Sequence, residues 1–192
     1  MKKTTLVVLL SVIASACNKS AGAAESAVGT ISLLGRTYHL GSYNQKSKPT
    51  WEFVTGDETV NNWTTLVTVI ERADAHTRPE LDQLSEGIMA NYKSHGGQIL
   101  MAKTFPAAAG GAYNYIASAF EEPAKNRFEL NFVKMGLGAK NAYVVVYGVR
   151  ISDPKDYVRK GKDFLNQRSS EIGIALEKLV LPDLATLPRK EF

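Results

Sequence analysis

Three histidines, one cysteine and a Ser-His dipeptide are the most reactive side chains of this 192-residue chain, and their spacing limits what they can do. His39, His76 and His95 show neither HExxH nor His-x-His spacing, and Cys17 stands far from all three, so no zinc site is expected. Ser94-His95-Gly96-Gly97 sets a hydroxyl beside an imidazole, but neighbours in sequence rarely face each other, and a nucleophile elbow reads Gly-x-Ser-x-Gly. Asp74-Ala75-His76 sets a carboxylate beside an imidazole between a strand and a helix, where a solvated loop is the simpler reading. Pro106-Ala-Ala-Ala-Gly-Gly-Ala112 is rich in glycine yet lacks the Gly-Lys-Ser/Thr ending and the helix start of a phosphate loop. It reads as a linker between strands or the rim of a binding surface. No catalytic residue, metal or cofactor is therefore assigned. The enzymatic alternative is a hydrolase or transferase whose site is assembled from Asp, Glu, Ser and His residues distant in sequence.

The cysteine has a different chemistry. Lys2 and Lys3 precede an apolar run from Leu6 to Ala16, and Cys17 follows directly. The run falls short of the roughly 20 apolar residues that span a bilayer, and its charged start and small end describe an export signal. Ala14-Ser15-Ala16-Cys17 resembles a lipobox, in which the thiol receives diacylglycerol and the new N-terminus a further fatty acid such as palmitate. Ordinary signal peptidase cleavage after Ala16 or Ala23 is the competing reading. A lone cysteine makes no internal disulfide, and in an oxidising compartment it is a liability unless modified or removed. Asn18 rather than Asp follows it, which favours the outer membrane; without the lipid the protein would be periplasmic.

Residues 1–16 thus read as signal peptide, 17–27 as a flexible Ser/Ala/Gly-rich tether and 28–192 as one domain able to bury a core without cross-links. The chain carries 23 basic and 19 acidic residues. Losing Lys2 and Lys3 leaves 21 against 19, a net charge of about +2 with the signs interspersed, so a nucleic-acid partner is not expected.

Four residues are candidates for binding. Tyr113 and Tyr115 share one strand face, as Tyr143 and Tyr147 share another; they either line a groove or stand at the sheet margin with wet hydroxyls. Arg168 falls on the apolar stripe of a helix, where it either snorkels along the sheet edge, joins a buried ion pair or clamps a ligand carboxylate. Trp63 begins the most apolar strand and is expected in the core; an exposed Trp63 would instead be an interface anchor.

Alternating periods define the elements that hold these residues. Val28 to Leu40 contains two short β-rich pieces about Gly35, Thr50 to Thr55 alternates, and Trp63 to Arg72 is a β-branched run fit for a central strand. Thr77-Arg-Pro-Glu80 is a capping box with proline in the first turn, and Leu81, Leu84, Ile88 and Tyr92 make one stripe ending before Gly96-Gly97. Four strand-like segments follow: Gln98 to Phe105, Ala112 to Phe120, Arg127 to Met135 and Ala142 to Ile151. A second helix is expected with Asp153 as cap, Pro154 at its first position and Pro182 beyond its end. Short connections between strands favour an antiparallel sheet of about six to seven strands packed with two main helices, an α+β sandwich of α/β/α type.

Gly56-Asp-Glu-Thr-Val-Asn-Asn-Trp63-Thr-Thr-Leu-Val-Thr68 resembles a pattern of exported bacterial proteins, and the element order is similar to the Mog1/PsbP-like sandwich. That resemblance implies the architecture and an accessory or assembly role, and transfers no catalytic residue. The expectation is a non-enzymatic lipoprotein of the cell envelope, membrane-bound through its lipid, with an envelope protein partner; a small-ligand carrier is a further alternative.

Overall fold

The computed structural model describes residues 29–45, 48–107, 111–187 and 189. Cys17, the signal segment and the tether lie outside the described residues. Eight strands form one antiparallel sheet: β1 (Thr30–Leu33), β2 (Arg36–Asn44), β3 (Thr50–Val54), β4 (Thr65–Arg72), β5 (Gln98–Pro106), β6 (Ala112–Glu122), β7 (Arg127–Leu137) and β8 (Ala142–Ser152). Their order in space is β1-β2-β3-β4-β8-β7-β6-β5. The α+β sandwich is as expected, but the strands number eight rather than six or seven, because both short pieces about Gly35 pair as a hairpin at the sheet edge.

Two helices cover opposite faces. Helix α1 (Arg78–Ser94) begins at Thr77, where the Glu80 carboxylate accepts the backbone N–H groups of His76 at 2.7 Å and Thr77 at 2.9 Å. Its buried Leu81 and Leu84 pack with Ile116, Val133, Met135 and Val144, so it lies over β5, β6 and β7. Helix α2 (Tyr157–Lys178) packs on β7 and β8 through Ile172 and Leu176, against a core that runs from Ile31 to Val149 and includes Trp51, Phe53 and Phe132. The alternation of β7 explains the two layers: Phe128, Leu130 and Phe132 face α2, while Val133 and Met135 face α1.

The start of α2 corrects the sequence reading. Asp153 Oδ1 accepts the N–H groups of both Lys155 and Asp156 at 2.8 Å, closing a turn before the helix, and Asp156 occupies the cap position. Pro154 belongs to that turn rather than to the first helical position. At Gly161 α2 lies close on the sheet: a Cβ there would collide with the Phe128 ring.

Candidate binding groove

Strand β5 ends the sheet, and among the described residues no strand lies beside its outer edge. A bulge between the pairs Ile99–Ser118 and Met101–Ala117 leaves Leu100 unpaired and turns it outward. Because α2 sits over β7 and β8, the same face of β5 and β6 remains as a trough between the helix and the open edge. Its volume is about 490 Å³; Leu100, Met101, Phe105, Tyr113 and Tyr115 line one side, and Leu165, Gly173 and Ile174 the other. Three of these are large apolar side chains in contact with solvent: Leu100 is 41% exposed, Met101 40% and Ile174 50%. Scattered apolar exposure is ordinary, but three such residues on one trough form a patch.

Tyr113 and Tyr115 do meet in this groove. Phe105 stacks on Tyr113 with centroids 5.6 Å apart and meets Tyr115 edge-on at 6.1 Å. Both tyrosines are buried, so they form the wall and are not wet residues at a margin. Burial pushes the Tyr115 hydroxyl up to about 12, with the neighbouring Tyr113 adding to it, and burial followed by the Glu177 charge also raises Tyr113. Tyr115 stands opposite Lys134 of β7, whose Nζ donates to the Glu177 carbonyl at 3.0 Å and lies 5.4 Å from the Tyr113 ring centre. This buried lysine, its pKa lowered by desolvation, ties the last turn of α2 to the sheet and so fixes one end of the groove.

The other candidates lie elsewhere. Tyr143 and Tyr147 pack in or against the α2-side core, where Tyr147 meets Tyr38 edge-on at 6.4 Å. The Arg168 side chain is 44% exposed and pairs with Glu171 one turn along its own helix, Nε to Oε2 at 2.6 Å. Trp63 is buried on the opposite, α1-facing side, where it packs with Val54 and Leu66. The Arg150 guanidinium lies 3.6 Å from its ring centre, and a Cβ on Gly148 would come within 2.9 Å of the indole.

Around Trp63 is a cleft of about 370 Å³ of mixed lining, in which Leu66, Phe120 and Val146 stand beside Tyr92, His95, Glu122 and Glu129. Its carboxylates are engaged: Glu129 binds Arg150 Nε at 3.0 Å, and Glu122 binds Arg127 at 2.6 Å. The Arg127 hydrogen bond holds Glu122 below the ordinary carboxylate range, while burial and the Glu129 charge push Tyr92 up to about 12. These shifts move both groups away from neutrality, which is the wrong direction for an acid and base working together there. Ser94 and His95 do meet, contrary to the expectation for sequence neighbours: Ser94 Oγ lies 3.2 Å from His95 Nδ1, and both reach the Asn91 carbonyl at 2.8 Å, which places the pair at the helix end. Asp74 pairs with Arg72 at 2.7 Å, whereas His76 Nδ1 faces the Lys140 carbonyl at 2.9 Å; the two do not form a dyad.

Sequence reasoning missed Leu100, Met101, Phe105 and Ile174. A break in the alternation of the Gln98–Phe105 segment at Leu100-Met101 was the available signal, since a bulge is what leaves two consecutive apolar residues on an edge. The chain matches no protein-family model, and comparison with curated proteins finds no match either.

Proposed function

We propose that the protein is a lipid-anchored binding or assembly factor of the bacterial cell envelope, without catalytic activity, which takes an extended apolar segment of an envelope protein partner beside β5. The observation that carries this reading is the coincidence of an open nine-residue edge strand with an apolar trough on the same side. A free strand edge presents unpaired N–H and C=O groups that another strand satisfies, and side chains at alternate positions of that strand would enter the trough. The groove is open along its edge, which favours a chain segment over an enclosed small ligand. Cys17 supplies the membrane attachment in this reading, with several acyl chains making it stable.

The test is site-specific photocrosslinking of the full-length protein in envelope membranes. A crosslinker at Met101 should give an adduct that is absent when it replaces Lys93 on α1, and Ile174→Lys, which charges the rim without entering the core, should reduce that adduct severalfold. Equal adducts at both positions, or indifference to Ile174→Lys, contradict the groove. Cys17→Ser should release the protein from detergent-extractable membrane; a wild-type N-terminal peptide without lipid mass contradicts the anchor.

A further inference from the structure

Helix α1 leaves a second trough along its flank toward β8 and β4, on the face opposite the apolar groove. Two hollows of about 590 and 370 Å³ lie side by side there, with Asn91, Tyr92 and Val146 in the walls of both. We propose that this trough binds a linear, uncharged oligosaccharide. The inference rests on observations independent of the β5 groove.

The first observation is a glycine that the fold does not need. Gly87 sits in the middle of α1, on the wall of the larger hollow. Its backbone does not have positive φ, and a Cβ built there would meet nothing within 4 Å. Gly is the poorest helix former after proline, and neither a turn nor close packing within the molecule compensates here. What the missing side chain does is leave the trough open at its midpoint.

The second observation is the chemistry on either side of that gap. Gln83, Gly87, Asn91 and His95 recur at every fourth position, so they line the trough at intervals of about 6 Å along the helix axis. Planar carboxamides present a donor and an acceptor together, which suits adjacent hydroxyls on a sugar ring. Thr68 and Asn131 add hydroxyl and amide groups on the sheet side, while Ile70, Val146 and Tyr92 offer apolar surface for the C–H face of a pyranose.

The third observation is charge. Each charged side chain lining the trough among the described residues is already engaged. Asp74 holds Arg72 at 2.7 Å and Lys48 at 3.6 Å, Glu80 accepts backbone N–H groups, Glu122 binds Arg127 and Glu129 binds Arg150. A phosphate backbone or anionic head group would find no spare cation there, and a charged peptide no counterion, so the electrostatic match is to a neutral polar chain.

The full-length chain, purified in mild detergent, would be titrated calorimetrically with chitopentaose, cellopentaose and an uncharged Ala/Ser decapeptide. One or both sugars should bind, and the peptide should not. Gly87→Gln should weaken that binding about tenfold or more while the thermal midpoint stays equal or rises, because the new side chain fills the trough and favours the helix. Gly87→Ala should raise the midpoint as well and weaken binding less, and it serves if the glutamine variant folds poorly. Ile174→Lys, on the other face, should leave sugar binding unchanged. The proposal is overturned if neither sugar binds at millimolar concentration, if the peptide binds in their place, or if folded Gly87 variants bind as wild type does.

Discussion

Alkaline pH should unfold this protein through its buried tyrosines. Tyr92 and Tyr115 are held up to about 12, both chiefly by burial, against an ordinary phenol near 10. The folded state therefore keeps protons that the unfolded chain gives up, and stability falls with pH across that window. The two contributions are fully present below pH 10 and lost as pH approaches 12. Two units amount to roughly 2.7 kcal/mol per residue, so the pair loses about 5 kcal/mol over the window and about half of that by pH 11. Burial raises Tyr113, Tyr143 and Tyr147 in the same direction. Lys134 works the opposite way: its depressed folded pKa makes stability rise with pH up to its ordinary value of 10.5, which flattens the profile just before the tyrosines act. Set against a net stability of about 5–15 kcal/mol, a loss of about 5 kcal/mol from this pair removes between a third and all of it, and the other three tyrosines add to the loss, so unfolding should set in as pH climbs toward 12. Circular dichroism and tyrosinate absorbance followed together from pH 9 upward should change in one cooperative step, and Tyr115→Phe should move that step to higher pH. Gradual ionisation near pH 10 with the fold intact would refute the burial argument, and with it the claim that Tyr115 is a wall of the groove.

Two further outcomes test the other sequence-derived residues. Trp63→Ala should cost about 3–5 kcal/mol in urea unfolding, since it removes a buried indole and strips the Arg150 guanidinium of its stacking partner; a loss under about 1 kcal/mol would contradict its place in the core. Arg168→Met should change stability by no more than about 0.5 kcal/mol, because an exposed pair within one helix contributes little, and crosslinking from Met101 should be unaffected. A loss of several kcal/mol would mean that its guanidinium serves a buried carboxylate after all.

Much of this architecture is legible in the sequence because its periods are clean. Phe128, Leu130 and Phe132 alternate against Arg127, Glu129 and Asn131, and the strand follows. Leu81, Leu84, Ile88 and Tyr92 make a helical stripe behind a capping box, and α1 begins where that box says. Asp153-Pro154 misled for a physical reason: an Asp that accepts two successive N–H groups caps a turn as readily as a helix, and only the intervening turn moved the start of α2 to Tyr157. Arg168 lies on the apolar stripe, where the sequence leaves snorkelling, a buried pair and a ligand clamp open; only the fold shows that its long side chain pairs with Glu171 of the same helix. The groove was half visible. Tyr113 and Tyr115 announce one wall, but which strand is the sheet edge and where α2 stops covering the face depend on order in space, which no local pattern contains.

That order bears on how the two candidate sites would be presented. The chain enters the sheet at β1, and the apolar groove lies at β5, the opposite edge, seven strand spacings away. At the usual spacing that separation is about 33 Å. The α1 trough opens on a sheet face midway between those edges, beside β4 and β8. Trough and groove thus lie on opposite faces of the sheet and at different strands, so a neutral polymer in one and an extended partner segment beside β5 could be held at once without competing for surface.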